Sequence, residues 1–163
     1  MTAAQDLYVT GLKNAHAMES QAHEILERQA DRLGDFPELQ ERVAAHLQET
    51  KSQLQRLERC LSTLDDSPST LKDTMLSFGG NVAAMTAMAG DEILKNTFAN
   101  SAFEHYEIAA YKSLLALAKE AGIDHSELEE SLHEEERMAD WIDEHVEPIT
   151  IEYLHNEERN NVA

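Results

Sequence analysis

The chain has few residues that break helices and few that cross-link chains. Its 163 residues include three prolines, at positions 37, 68 and 148, six glycines and one cysteine. A single cysteine, Cys60, excludes a disulfide bond within the chain. Basic side chains are also scarce, 13 against 32 acidic ones, for a net charge of -19. Because such a charge repels phosphate backbones, we expect no nucleic-acid binding, and the charge favours cations or a basic partner.

Long apolar runs are absent too, since none approaches the roughly 20 residues of a membrane-spanning helix. The first twenty residues lack a basic segment followed by an apolar one, which is the pattern of a signal peptide. Without a membrane segment or paired cysteines, we expect a cytoplasmic protein. The sequence also contains no glycine-rich phosphate loop, no paired cysteines with zinc spacing and no Ser/His/Asp order. Its length predicts one domain covering 1–163, large enough for a substantial core.

Alanine, leucine, glutamate and glutamine are abundant, and the sparse prolines and glycines predict long helices. We predict helices at about 4–33, 36–64, 91–122 and 126–145, and a short C-terminal helix at about 149–155 after Pro148. Residues 65–70 are expected to form a turn, and 71–88 a short, broken helical crossover. A connection of this length lets the second and third helices run parallel. The fold class is therefore predicted to be all-α, a ferritin-like four-helix bundle.

Several glutamates lie on the apolar stripes of these helices, where leucine would be expected. Glu19 lies seven residues from Leu12 and from Leu26, and Glu135 lies seven from Leu128 and from Ile142. Glu104 and Glu107, three apart, share the apolar face of the third helix. A buried carboxylate costs several kcal/mol unless a cation meets it. Bound metal ions and a solvated or salt-bridged polar layer are both consistent with this pattern.

Other polar residues fit the interior less well. Glu49 lies about 110° from the centre of its apolar stripe, counting 100° per residue, while His46 lies closer to that stripe. His16 and His23 flank Glu19 and are either hydrogen-bonded core residues, ligands or partners of the carboxylates. In the run 133–136, only Glu135 is expected to point inward. Oxygen and nitrogen ligands with little sulfur favour iron or manganese.

Four segments resemble one known family. HAMESQAHEIL, AAHLQETKSQLQRLE, FEHYEIAAYKSL and SLHEEERMADW are similar to the YciF/YciE family of ferritin-like, stress-associated proteins. The resemblance extends over nearly the whole chain. It implies a cytoplasmic ferritin-like bundle, related in fold to rubrerythrin and forming a homodimer.

The wider di-iron carboxylate pattern takes a glutamate from two helices and Glu-x-x-His from the other two. By this resemblance, Glu19, Glu49, Glu104 or Glu107, and Glu135 are the metal ligands. The sequence departs from the pattern at both expected histidines, which are Ser52 and Met138 here. His46 is the nearest substitute, and Asp140 is not expected to be a ligand.

Three functions follow as hypotheses. The first is a dinuclear iron or manganese site that reacts with oxygen or peroxide, with Tyr106 or Tyr111 nearby to carry an electron or proton. The second is a non-enzymatic structural or interaction stress protein with a degenerate, metal-free polar core. The third, iron storage in a shell, requires a large cage for which the sequence offers no sign.

Overall fold

The computed structural model describes residues 2–64 and 92–162, which form four long helices. These are α1 (Ala3–Ala30), α2 (Pro37–Ser62), α3 (Glu92–Ala121) and α4 (Ser126–Val162). No strand occurs in these two ranges, so the all-α prediction is confirmed. The predicted turn at 65–70 and crossover at 71–88 lie outside the described residues.

Local chemistry accounts for the helix ends. Thr2 and Gln5 form a capping box at the start of α1, each side chain accepting a hydrogen bond from the other's backbone N–H. Pro37 occupies the first turn of α2, where its missing N–H costs nothing. Gly122 ends α3 with a φ of 67°, a left-handed conformation that favours glycine. The Asp124 carboxylate then accepts from the Ser126 N–H at 3.1 Å, where α4 begins.

The helices form a ring in which every neighbouring pair is antiparallel. Contacts link α1 with α2 and α3, and α4 with α2 and α3. Opposed residues show the directions: Gly11 approaches Leu114 and Gln29 bonds Asn100, while Arg59 bonds Glu127 on α4. Because α1 is antiparallel to both α2 and α3, those two run parallel across the ring, as predicted for a ferritin-like bundle.

The fourth helix is longer than predicted. It continues through Pro148 to Val162 as one helix of 37 residues, so the separate short helix predicted at 149–155 is wrong. Pro148 is exposed, and Ile149 beside it is 4% exposed and packs in an apolar cluster with Leu33 and Phe36. Burial of Ile149 against the bundle offsets the hydrogen bond that proline cannot donate.

Two apolar clusters fill the bundle, with a polar region between them along its axis. One cluster contains Tyr8, Leu12, Leu57, Leu114 and Leu128. The other contains Leu26, Phe36, Val43 and Ile149, with Trp141 packed against it. The Trp141 ring stacks on His145 at 4.0 Å between ring centroids. None of the described helices is both long and apolar enough to cross a membrane.

Candidate metal centre

Between the two clusters, each helix contributes at least one acidic or imidazole side chain to a common layer. The glutamate layer, as we name it, contains Glu19 from α1, His46 from α2, Glu104 and Glu107 from α3, and Glu135 from α4; each is at most 3% exposed. One ligand atom from each of His46, Glu104, Glu107 and Glu135 can be chosen so that all four lie within 4.8 Å of one another. The structure therefore brings together these residues that the sequence selected as candidate ligands.

His46 is the imidazole in contact with these carboxyl groups. Its Nε2 lies 3.3 Å from Glu104 Oε1 and 3.4 Å from Glu135 Oε2, and its Nδ1 lies 2.8 Å from Glu49 Oε2. Burial lowers the pKa of His46, but the neighbouring carboxylates, Glu104 foremost, raise it well above its ordinary value. One imidazole thus faces three carboxyl groups.

Most oxygens of the layer face no hydrogen-bond donor in the described part of the chain. Both oxygens of Glu107, Oε2 of Glu19, Oε2 of Glu104 and Oε1 of Glu135 are buried and unpaired there. Burial and the surrounding negative charge raise the pKa of Glu19 and of Glu107 well above the ordinary value. The same causes, partly offset by His46, raise the pKa of Glu135 to about 8. Such oxygens require protons or a cation.

Tyr111 fixes one end of the layer. Its hydroxyl, fully buried, donates to Glu19 Oε1 at 2.6 Å. Burial and the Glu19 charge raise the pKa of Tyr111 well above its ordinary value, so the phenol keeps its proton. Because Oε1 is occupied in this way, Oε2 is the free oxygen of Glu19. Tyr106, the other tyrosine considered from the sequence, is 51% exposed on the outside of α3 and does not belong to the layer.

Glu49 lies at the edge of the layer, with 21% of its side chain exposed. It contacts His46, Arg42 at 3.5 Å and Arg137 at 3.5 Å. Partial burial raises the pKa of Glu49, but the hydrogen bond with His46 and the two guanidinium groups lower it overall. The structure places Glu49 where it orients the His46 ring, outside the set of four grouped ligand atoms.

A buried ion pair that hydrophobic spacing does not predict lies beside the layer. Arg56 and Glu134 are 7% and 6% exposed and form two hydrogen bonds, of 2.6 and 3.0 Å. Gln53 also donates to Glu134, at 3.0 Å. The expectation that Glu134 is solvated is therefore wrong. The sequence feature that could have indicated burial of Glu134 is Arg56 on α2, since a buried carboxylate requires a cationic partner.

Several other candidates lie apart from the layer. His16 pairs with Glu58 at 3.3 Å, and neither His16 nor His23 belongs to the four grouped ligand atoms. Where the di-iron pattern has histidine, Ser52 donates to its own helix at Gln48 O and Met138 is buried. Asp140 is exposed and does not belong to the four grouped ligand atoms.

Comparison with known proteins agrees with this architecture. A family model described as a domain of unknown function, DUF892, matches residues 3–155. The chain belongs to the DUF892 family.

Solved structures similar to this DUF892 chain come from several bacteria. A protein from Xanthomonas campestris pv. campestris is 32% identical, with a TM-score of 0.79, and the match covers 95% of this chain and 99% of that chain. YcfI from Rhodopseudomonas palustris is 24% identical, with a TM-score of 0.71 and coverage of 88% and 94%. The stress protein YciF from E. coli is 23% identical, with a TM-score of 0.74 and coverage of 92% and 98%. These matches confirm the resemblance to YciF-type proteins and the bundle fold.

Proposed function

We propose that this protein binds iron or manganese in the glutamate layer, as a stress-associated cytoplasmic protein. The carrying observation is the set of unpaired, buried oxygens on Glu104, Glu107 and Glu135 within reach of His46. Carboxylate and imidazole ligands without sulfur suit these metals. The stress association comes by analogy from the printed description of YciF from E. coli.

The number of ligands supports a dinuclear site. Glu107 offers two oxygens, and Glu19 Oε2 adds another from the neighbouring helix α1. Ligand oxygens of Glu107 and Glu135 lie within 4.8 Å of each other, and the charges of Glu135 and Glu19 both raise the pKa of Glu107, as expected for neighbouring carboxyl groups. Two divalent cations would carry +4, equal and opposite to the charge of four ionised glutamates.

The surrounding residues have defined tasks in this proposal. Glu49 accepts the Nδ1 proton of His46, which leaves Nε2 free to bind a cation. Tyr111 holds Glu19 so that Oε2 faces the layer. A bound redox metal would supply electrons for the reduction of oxygen or peroxide. The apolar clusters on both sides exclude water from that chemistry.

A metal-free polar core is the second candidate function. The raised pKa values of Glu19, Glu107 and Glu135 favour it, because protonated carboxyl groups need no cation. In this alternative the protein acts as a structural or interaction protein in stress, without catalysis.

Metal analysis distinguishes the two candidates. Protein purified without an affinity tag is analysed for all transition metals, and the metal-free form is titrated with Fe(II) or Mn(II) under anaerobic conditions. We expect up to two ions per chain and a higher thermal midpoint; a cation at 100 times its dissociation constant adds about 2.7 kcal/mol.

Variants locate the ions. Glu107→Gln should weaken binding by at least tenfold, while Glu120→Gln, an exposed glutamate of the same helix, leaves it unchanged. Anomalous scattering should place the metal between Glu107 and Glu135. Absence of metal, with no stabilisation by either cation, would favour the metal-free polar core.

A further inference from the structure

A small cavity lies between α1 and α3, beside the glutamate layer. Its volume is about 20 Å³, and a single water molecule needs about 10–15 Å³ of such space. The residues that line it are three or four apart on each helix and therefore share one face. We name this the α1–α3 pocket; it is lined by Ala22, Ile25 and Leu26 on α1 and by Ala99, Phe103 and Glu104 on α3.

The pocket extends from partly exposed side chains to a buried carboxyl group. Ile25, Ala99 and Phe103 are half-buried, whereas Glu104 is 3% exposed. Oε2 of Glu104 has no hydrogen-bond donor in the described part of the chain, and its Oε1 lies 3.3 Å from His46 Nε2. A molecule in the pocket therefore lies next to the glutamate layer.

We propose that the α1–α3 pocket admits dioxygen to the glutamate layer. Besides Glu104, the only polar side chain that lines the pocket is Asn100. The Asn100 amide already exchanges two hydrogen bonds with Gln29, of 2.8 and 3.2 Å. A buried water molecule needs two to four polar partners, and the apolar walls offer none. An uncharged, apolar molecule of two atoms loses no hydrogen bonds when it enters.

Charge and size disfavour other reactants in this pocket. Anions are repelled by the net charge of -19 and by Glu104 itself. A hydrated divalent cation carries several water molecules, which a cavity of about 20 Å³ cannot contain. Hydrogen peroxide is small enough, but its two hydroxyl groups require hydrogen-bond partners that the apolar walls lack. Dioxygen therefore fits the pocket best.

A role for dioxygen rests on the proposed metal site, because dioxygen needs a reductant. With Fe(II) bound, dioxygen takes one electron from each of two ions and two protons from solvent. The π bond between its oxygens breaks, two O–H bonds form, hydrogen peroxide leaves, and both ions become Fe(III). Entry of dioxygen into the pocket requires no metal, so the pocket and the metal site are tested separately.

The first test uses the metal-free protein. Dissolved dioxygen is paramagnetic and speeds the relaxation of the methyl groups that it approaches. Methyl NMR spectra are recorded under nitrogen and under oxygen pressure. We expect a larger increase in relaxation at Leu26, which lines the pocket, than at Leu57, which is equally buried in the other apolar cluster.

A variant that fills the pocket gives the second test. Ala22→Val adds two methyl groups at a residue that is 4% exposed, and the oxygen effect at Leu26 should be lost. Oxidation of the Fe(II)-loaded variant by dioxygen should slow by at least about tenfold, because passage then requires displacement of packed side chains. Equilibrium binding of Fe(II) should be unchanged. The matched control is Ala102→Val, at an exposed position of α3, which keeps the wild-type oxygen effect and rate.

An oxygen effect at Leu26 no larger than that at Leu57 overturns the proposal, whatever the metal analysis gives. A clear oxygen effect in a protein that binds no metal supports the pocket and overturns the proposed function. An oxygen effect that persists in folded Ala22→Val, or an unchanged oxidation rate, also overturns the pocket. Oxidation by hydrogen peroxide that slows in the variant, while oxidation by dioxygen does not, shows that the pocket admits peroxide and that the proposal is wrong.

Circular dichroism checks that the variants are folded. If Ala22→Val does not fold, Ala99→Leu fills the pocket from its half-buried side, with Ala102→Leu as its control. The same loss of the oxygen effect at Leu26 is expected for Ala99→Leu, and an unchanged effect overturns the proposal.

Discussion

At the scale of single residues, the buried carboxyl groups of the bundle outnumber the cationic side chains that contact them. His46 is surrounded by Glu49, Glu104 and Glu135, while Arg56 is committed to Glu134. Glu107 has no donor for either oxygen in the described residues. Without a bound cation, the native state keeps protons on the layer that the unfolded chain releases.

That proton retention sets the pH dependence of stability. The pKa of Glu135 rises from 4.5 to about 8 on folding, and the pKa of Glu107 and of His46 also rises. Groups with raised pKa values stabilise the fold at low pH and lose that contribution as pH rises through the folded pKa. The metal-free protein should therefore lose stability between about pH 4.5 and 8.

The variant Glu107→Gln tests this residue directly. Removing one titrating group should reduce the slope of unfolding free energy against pH by up to about 1.4 kcal/mol per pH unit. Urea unfolding in a chelator from pH 5 to 8 gives the slope. Glu120→Gln, on the surface of the same helix, should keep the wild-type slope; equal slopes for both variants would contradict the prediction.

Hydrophobic periodicity predicted most residues of the glutamate layer, but it did not predict the buried Glu134 beside that layer. Glu104, Glu107 and Tyr111 follow the spacing of the buried stripe of α3, so the sequence was sufficient to place them inside. Glu134 required knowledge that Arg56, 78 residues away, faces it across the bundle. Hydrophobic spacing along one helix contains no information about a cation on another.

At the scale of elements, the prediction of helix ends succeeded where capping signals were local. Gly122 predicted the end of α3 and Pro37 the start of α2 within two residues of the observed positions.

On α1 the buried stripe includes Tyr8, Ala15 and Ala22 in place of the predicted His16 and His23. Because alanine occurs at both buried and exposed positions, its presence did not indicate that Ala15 and Ala22 are buried. The predicted stripe was therefore displaced by one residue at these two positions. Pro148 predicts the end of a helix, but the apolar contacts of Ile149 keep α4 continuous beyond it.

Pro148 allows a test of that continuity. It is exposed within α4 and cannot donate to the carbonyl of Glu144. Pro148→Ala should therefore raise the free energy of unfolding by about 1–3 kcal/mol, since proline is about 3 kcal/mol less favourable than alanine in a helix interior. The control is Pro37→Ala, at the first turn of α2, which should bring no gain. Chemical denaturation measures the free energy of unfolding of both variants. A Pro148→Ala midpoint equal to that of the wild type would contradict a continuous helix through position 148.

At the scale of the whole molecule, the net charge of -19 lowers the stability of the compact state. Surface ion pairs such as Arg59–Glu127 at 2.8 Å and Lys112–Glu136 at 3.4 Å are exposed and contribute little. The remaining acidic side chains repel one another in the compact state.

Added salt should therefore stabilise the metal-free protein. Screening shortens the range of repulsion from about 30 Å at 0.01 M to about 3 Å at 1 M. The thermal midpoint should rise with NaCl, and choline chloride should give the same rise if screening is the cause. The measurement is repeated at several protein concentrations, and a midpoint that does not depend on concentration shows that self-association does not contribute. A midpoint that falls with salt would show that the surface ion pairs outweigh the repulsion.

The stack of Trp141 on His145 also gives the protein a built-in optical probe. Trp141 is the chain's one tryptophan, its ring lies 4.0 Å from the imidazole, and His145 Nε2 lies 3.4 Å from Glu38 on α2. The environment of the indole therefore depends on a contact between α2 and α4. When those two helices separate, His145 loses Glu38 and the indole becomes more exposed to solvent. Fluorescence unfolding curves therefore measure the separation of that helix pair without an added label.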